Sequence, residues 1–437
     1  MSSALDWVAC PGRHVGGDIT VPGDKSVSHR ALMLGGIASG ATIVRGFLES
    51  EDCLATMAAM QAMGVRVDRG SDGSVRVAGA GLRGLRAPGR PLDMGNAGTA
   101  MRLFTGLLAG QGFDSVLVGD SSLMKRPMER VAAPLRLMGA AIETSGGRPP
   151  VRIAGGRLLR GIDYRLEVAS AQVKSAILLA GLYADGPTSV TEPAVTRDHT
   201  ERMLRAFGVP VAVEGSRVTV EPRPLQGCEV EVPGDFSSAA FFLVAATIAG
   251  RGPLRLRNVG INPTRTGLLD ILRQMGARIE VTCERRAGDE PVADLVVHPA
   301  RLRGIEVPAA LVPLAIDEFP VLFVAAALAD GETTVTGAAE LRVKESDRIG
   351  VMAEGLRALG ARVEPRPDGM WVRGGDLAGG VIDSHGDHRI AMSFAVAAAC
   401  ATGPVRIRDV ANVATSFPDF VGIARRAGLE LAAEEGA

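Results

Sequence analysis

Aromatic side chains are scarce in this 437-residue chain, where Phe, Trp and Tyr together make up 4%. Few rings are available to stack on nucleic-acid bases. The interior must be built mainly from Ala, Val, Leu, Ile and Met. An excess of one charge is lacking as well: 48 Lys and Arg stand against 49 Asp and Glu, a formal net charge of −1. No global basic excess exists to hold a phosphate backbone, so nucleic acid is excluded as a partner and charge must act locally. Cysteine is sparse. Cys10, Cys53, Cys228, Cys283 and Cys400 are odd in number and never spaced C-x-x-C, which argues against a disulfide framework and a zinc site. A cytoplasmic location follows from that cysteine usage. Met1-Ser2-Ser3-Ala4-Leu5-Asp6 has no basic stretch leading into an apolar core, so no signal peptide is expected. The longest apolar runs, near residues 239–249 and 321–329, are too short to span a bilayer.

Glycine, by contrast, is abundant at 55 residues, and it marks a repeat. Six times a small-residue cluster with a charge or amide opens a helix-like apolar stretch. The openings are Pro22-Gly23-Asp24-Lys25-Ser26, Gly95-Asn96-Ala97-Gly98-Thr99, Ala169-Ser170-Ala171-Gln172, Pro233-Gly234-Asp235-Phe236-Ser237-Ser238, Ile316-Asp317-Glu318-Phe319-Pro320 and Gly386-Asp387-His388-Arg389. Each copy closes on a glycine after an apolar pair or its like: Gly64, Gly139, Gly208, Gly276, Gly360 and Gly428. Opening and closing lie roughly 40 residues apart, and copies recur about every 65–80 residues. Six equivalent helix N-termini are therefore predicted, and a helix N-terminus attracts anions.

The first copy shows the expected elements. Residues 28–37 read as a helix and 41–44 as a strand. Residues 52–63 read as a second helix behind Glu51-Asp52, and 65–67 and 75–77 as strands around Gly70-Ser71-Asp72-Gly73. Corresponding first strands are expected at 188–191, 254–256, 333–336 and 405–407. A chain of this length exceeds one core, and three copies per domain fit the usual size. The division expected is 21–231 for copies one to three, and 1–20 with 232–437 for copies four to six. A strand around 8–19 pairs back into the second domain, and a short double-stranded hinge joins the two.

Lys25, Ser26 and Arg30 fall around the first turn of a helix, where backbone N–H groups, a hydroxyl and two cations suit a phosphate or carboxylate. The order of a Walker loop is missing. Arg102 repeats the idea one turn after Gly98, and Lys125-Arg126 precede what reads as a helix-starting Pro127. Ser170 and Gln172 offer a hydroxyl and an amide. Taken singly, Lys174, Arg197 and His199 read as surface capping groups. The fourth opening carries no cation. The fifth brings Asp317 and Glu318, and later Arg342-Val343-Lys344-Glu345-Ser346-Asp347-Arg348, which on its own fits an exposed charged helix. The sixth brings His385, Asp387, His388 and Arg389. Acids beside cations suit proton transfer on an anionic substrate. The spacing of His385, Asp387 and His388 matches no helical two-histidine motif, so no metal is expected.

Taken together, seven segments resemble the enolpyruvyl transferase family, in particular the branch acting on shikimate 3-phosphate. They are P-G-D-K-S-V-S-H-R at 22–30, G-N-A-G-T-A-M-R at 95–102, K-R-P-M at 125–128, A-S-A-Q-V-K-S-A at 169–176, T-R-D-H-T-E at 196–201, R-V-K-E-S-D-R at 342–348 and G-D-H-R-I-A-M at 386–392. The resemblance covers essentially the whole chain. It implies an α/β fold of two similar domains, each of three βαβαββ repeats around a pseudo-threefold axis in an inside-out barrel. It also implies closure of the domains on shikimate 3-phosphate and phosphoenolpyruvate, with no metal or organic cofactor. The residues it assigns to shikimate 3-phosphate are Lys25, Ser26, Arg30, Ser170, Ala171, Gln172, Arg197, Asp317 and Lys344. Those it assigns to phosphoenolpyruvate are Lys25, Asn96, Gly98, Arg126, Gln172, Arg348, His388 and Arg389. Asp317, Glu345 and Lys25 are the implied catalytic groups, Asp317 as base. Leu103, Arg197 and Thr415 depart from one branch of the family and look like its second, more divergent bacterial class. Glyphosate is the inhibitor implied, and a monomer the expected state. The sister transferase acting on UDP-N-acetylglucosamine uses a Pro-Gly-Cys loop, and none of the five cysteines lies in one.

Overall fold

A computed structural model of the chain describes residues 5–12 and 14–435. Met1–Ala4, on which part of the signal-peptide reading rests, lies outside the described residues. The chain divides into two compact units. One comprises Gly23–Val232 with Arg286–Glu290, the other Met1–Pro22, Pro233–Arg285 and Pro291–Ala437. Each is described below by itself, the former as the first unit and the latter as the second.

The first unit carries helices α1 (Lys25–Ile37), α2 (Glu51–Ala62), α3 (Gly98–Ala109), α4 (Glu129–Leu137), α5 (Ala171–Gly181) and α6 (His199–Ala206). The second carries α7 (Phe236–Ala249), α8 (Gly267–Gln274), α9 (Phe319–Ala327), α10 (Arg348–Ala358), α11 (His388–Ala398) and α12 (Phe420–Arg426). The six repeat openings sit at the N-termini of α1, α3, α5, α7, α9 and α11, as their sequence predicts. These helices are apolar on nearly every face and are buried almost throughout, as a helix without a polar face must be. In the first unit α3 packs on α5, and α1 on α2 and α6; in the second, α7, α9 and α11 pack on one another. Each unit thus owns an apolar core, with Phe104 and Phe207 in one and Phe242, Phe323 and Phe420 in the other.

Among the described residues, three small sheets flank the helices of each unit. In the first unit every sheet has one order: a parallel edge strand, the strand after the opening helix, then an antiparallel hairpin. Glu229–Glu231 pairs in parallel with Ala41–Arg45, Leu92–Asp93 with Ser115–Val118, and Asp163–Arg165 with Thr188–Thr191. The second unit repeats the pattern with Val15–Thr20 beside Gly250–Gly260 and Gly380–Asp383 beside Val405–Arg408. The single strand expected at 8–19 is instead two, Leu5–Cys10 and Val15–Thr20, which join different sheets of the second unit. Pro11 lacks the N–H a ladder needs, and Gly12 follows it, so the strand breaks there.

The closing glycines take one conformation. Gly64, Gly139, Gly208, Gly276, Gly360 and Gly428 all have φ between 83° and 104°. Each follows a helix, and the next residue's N–H reaches back to a carbonyl of the last turn, as Val209 N to Leu204 O at 2.9 Å. That is the Schellman arrangement, which favours glycine because its φ is left-handed. Five copies add a clasp that the sequence reading missed. Arg136, Arg205, Arg273, Arg357 and Arg425, each three residues before the glycine, donate to the carbonyls of Ile142, Val211, Ile279, Val363 and Leu431. A Cβ at Gly208 meets nothing within 4 Å, so Gly208→Ala isolates backbone strain. We expect it to cost about 1–2 kcal/mol in urea unfolding; a loss near zero would refute the left-handed assignment.

Candidate active site

Two sets of charged side chains gather, one in each unit. In the first unit Asp24 caps α1 by accepting from Val27 N at 2.9 Å. Lys25 follows on the first turn, and its Nζ lies 2.9 Å from Asp52 Oδ2 on α2. Ser26 beside it is half-buried and gives its carbonyl to Arg30. Arg30 itself lies deeper. Its Nε donates to Thr200 Oγ1 at 2.7 Å and its Nη2 to Ser175 Oγ at 3.0 Å. Burial pulls its guanidinium down to about 10. His29, wholly buried, accepts or donates at Thr56 Oγ1, 2.7 Å away. Burial, with Lys25 and Arg30 nearby, holds its imidazole well below the ordinary value, so it is neutral.

The tip of α3 is built around an absent side chain. A Cβ on Gly98 would lie 2.8 Å from Arg126 Nη1 and 3.0 Å from Arg102 Nη1. Glycine therefore leaves room for two guanidiniums beside the N-terminus of α3. Arg126 also donates to Asn96 Oδ1, and Asn96 Nδ2 to Asp120 Oδ2 at 2.7 Å. Arg102 Nη1 reaches Gln172 Oε1 at 2.8 Å, while Gln172 Nε2 donates to Thr99 Oγ1 at 2.9 Å. Gln172, Ala171 and the cap Ser170 form the start of α5, so the α3 and α5 tips are pinned together. Ser170 Oγ accepts from Val173 N at 3.4 Å. Arg197 is half-buried just before α6. Pro127 does not start α4; Met128 caps that helix and Glu129 begins it.

Two residues read as surface caps are buried instead. Lys174 Nζ lies 2.8 Å from Glu192 Oε2 and 2.7 Å from Glu201 Oε1, with all three side chains no more than 3% exposed. His199 Nδ1 lies 2.7 Å from Glu290 Oε1, also buried. Their partners stand many residues away in sequence, where no local pattern signals them.

In the second unit the centre is Arg348, the first residue of α10, with its side chain 1% exposed. Three carboxylates surround its guanidinium: Asp387 Oδ2 at 2.8 Å from Nε, Glu345 Oε2 at 2.6 Å from Nη2 and Asp317 Oδ1 at 3.3 Å from Nη1. Burial opposes the charge, but the three acids outweigh it and raise the guanidinium above its ordinary value. Lys344 Nζ lies 3.4 Å from the same Asp317 Oδ1. Asp387 also caps α11, accepting from Arg389 N at 2.9 Å. Arg389 Nη1 donates to the carbonyl of Asp317 at 2.9 Å, and His388 begins α11 in a buried position. The 342–348 run is accordingly no exposed charged helix: it is a 3-10 turn, Ala339–Val343, followed by a loop that ends where α10 begins.

The fourth opening does hold a cation. Arg265, from the loop before α8, donates to Ser237 Oγ at 2.6 Å and Asp235 Oδ1 at 3.2 Å. Ser237 donates in turn to Glu318 Oε1, which lies 3.6 Å from Arg389 Nη1. Arg126, Arg197 and Arg265 all precede the second helix of their copies, a regularity that would have revealed Arg265. Among the described residues no group of His, Cys, Asp and Glu is arranged to hold a metal, and no helix is long and apolar enough to cross a membrane. The five cysteines are free thiols.

In each unit cations and helix N-termini, which suit anions, stand beside carboxylates, the residue type that proton transfer uses. Comparison with known proteins gives this chemistry a context. The family model for EPSP synthase (3-phosphoshikimate 1-carboxyvinyltransferase) matches residues 10–423. The 3-phosphoshikimate 1-carboxyvinyltransferase of Methylococcus capsulatus is 60% identical over 427 residues, covering 97% of this chain and 98% of the relative. The enzyme of the same name from Alkalilimnicola ehrlichii is 62% identical over 430 residues, covering 98% and 96%. A solved structure of EPSP synthase from Acinetobacter baumannii is 55% identical and superposes with a TM-score of 0.88, over 98% of this chain and all of that one.

Proposed function

The chain belongs to the EPSP synthase family, and from that premise we propose that it transfers the enolpyruvyl group of phosphoenolpyruvate to the 5-hydroxyl of shikimate 3-phosphate. The step serves aromatic amino acid biosynthesis and releases phosphate. Each substrate carries a phosphate and a carboxylate, and the α1, α3 and α5 tips with Lys25, Arg126 and Arg197 suit such groups. The observation that carries the reading is the pairing of Asp317 with two cations, Lys344 at 3.4 Å and Arg348 at 3.3 Å. An acid set beside cations is the combination that proton transfer on an anionic substrate requires.

The reaction runs by addition and elimination. Asp317 takes the 5-hydroxyl proton as the oxygen attacks C2 of phosphoenolpyruvate, and C3 gains a proton. The tetrahedral adduct then loses a proton from C3 as the C2–O bond to phosphate breaks. Glu345 and Lys25 are the groups proposed to deliver and remove the C3 protons. Ser26, Arg30, Ser170, Ala171, Gln172, Arg197, Asp317 and Lys344 serve shikimate 3-phosphate; Asn96, Gly98, Arg126, Gln172, Arg348, His388 and Arg389 serve phosphoenolpyruvate. We also read each unit as three βαβαββ repeats around a pseudo-threefold axis, on the recurrence of one sheet order, and the protein as a cytoplasmic monomer.

Purified protein given both substrates is expected to release phosphate, and neither substrate alone nor phosphoenolpyruvate with UDP-N-acetylglucosamine should do so. Phosphate release with the sugar nucleotide would assign the chain to the sister reaction. Glyphosate is expected to inhibit. Gly98→Ala moves Arg126 and Arg102, so it should raise KM for phosphoenolpyruvate and weaken glyphosate inhibition by about tenfold or more. Unchanged inhibition in a folded variant would remove the α3 tip from the phosphoenolpyruvate site.

A further inference from the structure

The buried triad of Lys174, Glu192 and Glu201 brackets one of the groups assigned above, and the Lys174 N–H donates to the carbonyl of another, Ser170, at 3.1 Å. Lys174 lies on α5, one turn behind Ser170, Ala171 and Gln172. Glu192 follows the strand Thr188–Thr191, and Glu201 lies in the first turn of α6. Between these two acids runs the loop that presents Arg197. Both its ends are tied to one ammonium, at 2.8 Å and 2.7 Å. Glu192 also accepts from the hydroxyl of Thr196 and, at 3.5 Å, from its N–H. Thr196 is the residue immediately before Arg197. Thr200, one residue before Glu201, bonds Ser175 Oγ at 2.8 Å, next to Lys174.

A structural ion pair needs one acid for one base. Here a second carboxylate is buried with the first, which is costly unless geometry requires it. Burial pushes the Glu201 carboxyl up, while the two acids together raise the Lys174 ammonium against the effect of its own burial. What the second acid adds is a fixed start for α6 on the same point that fixes the end of the preceding strand.

We propose that Lys174 is a positioning residue: through Glu192 and Glu201 it sets the place of Arg197 relative to the α5 tip, and so the affinity for the phosphate of shikimate 3-phosphate. The proposal rests on the reading that Arg197 and the α5 tip meet that substrate. Lys174 touches no substrate.

The test is the triple variant Lys174→Met/Glu192→Gln/Glu201→Gln, which removes all three charges and leaves no unpaired ion. KM for shikimate 3-phosphate is expected to rise about tenfold, with KM for phosphoenolpyruvate and kcat changed less than about threefold. In an Arg197→Met background the same three substitutions should add nothing, because the group they position is gone. Thr196→Val, which alters no charge, should raise the same KM about threefold and gives an answer even if the triple variant does not fold. Unchanged KM for shikimate 3-phosphate in these variants, or equal losses in both KM values and kcat, would overturn the positioning role. If instead the unaltered protein releases no phosphate with the two substrates, it is the functional reading that fails.

Discussion

Asp317→Asn is expected to lower kcat by about a thousandfold, within the range of general-base contributions. The amide keeps the shape of the carboxylate but accepts no proton. Arg348 retains Asp387 and Glu345, at 2.8 Å and 2.6 Å, so the loss should fall on the chemical step and not on the fold. KM for both substrates should move by no more than about threefold, since an effect on kcat alone marks an interaction made in the transition state. Steady-state kinetics with thermal unfolding of the same sample separate the two effects. A kcat within threefold of the parent would assign the base elsewhere, and Glu345 would be the next group to replace.

The second large effect concerns Asp387. Its side chain is fully buried and serves three elements at once: Arg348 of α10 at 2.8 Å, Ser346 Oγ at 3.0 Å and the first turn of α11 through Arg389 N at 2.9 Å. Asp387→Leu removes the charge facing Nε of a guanidinium that is 1% exposed. Breaking one side of a buried ion pair costs about 3–5 kcal/mol, and loss of an N-cap about 1 kcal/mol more. Urea unfolding of the variant should show a fall of that size. Asp387→Asn keeps the cap and should lose less. A fall below about 1 kcal/mol for the leucine variant would mean that Asp317 and Glu345 alone satisfy Arg348.

The parts of this molecule that rest on short-range rules were legible in its sequence. Asp24, Ser170, Asp235 and Asp387 cap their helices within three residues, and a left-handed glycine after a helix is a local signal. The strand at 188–191 lies where its β-branched residues predict. What escaped were pairings across long separations. Lys25 meets Asp52, Arg348 meets Asp387, and Lys174 meets Glu192 and Glu201. A charge looks solvated in a sequence until its partner is placed, so Lys174 and His199 read as surface groups there although both are buried. The strand broken at Pro11-Gly12 differs from the single strand expected for another reason. Pro11-Gly12 is a local signal for the break, but that the two halves serve separate sheets follows only from their pairing partners.

Enolpyruvyl transfer by addition and elimination requires that a carbon–oxygen bond break after the substrates have joined. Phosphoenolpyruvate carrying oxygen-18 in the bridge between C2 and phosphorus, reacted with shikimate 3-phosphate in deuterium oxide, tests this most directly. Mass spectrometry should find the heavy oxygen in the released phosphate and deuterium in the methylene group of the product, as addition, protonation and elimination require. Heavy oxygen retained in the organic product would show cleavage at phosphorus, and the tetrahedral route built on Asp317, Glu345 and Lys25 would be contradicted.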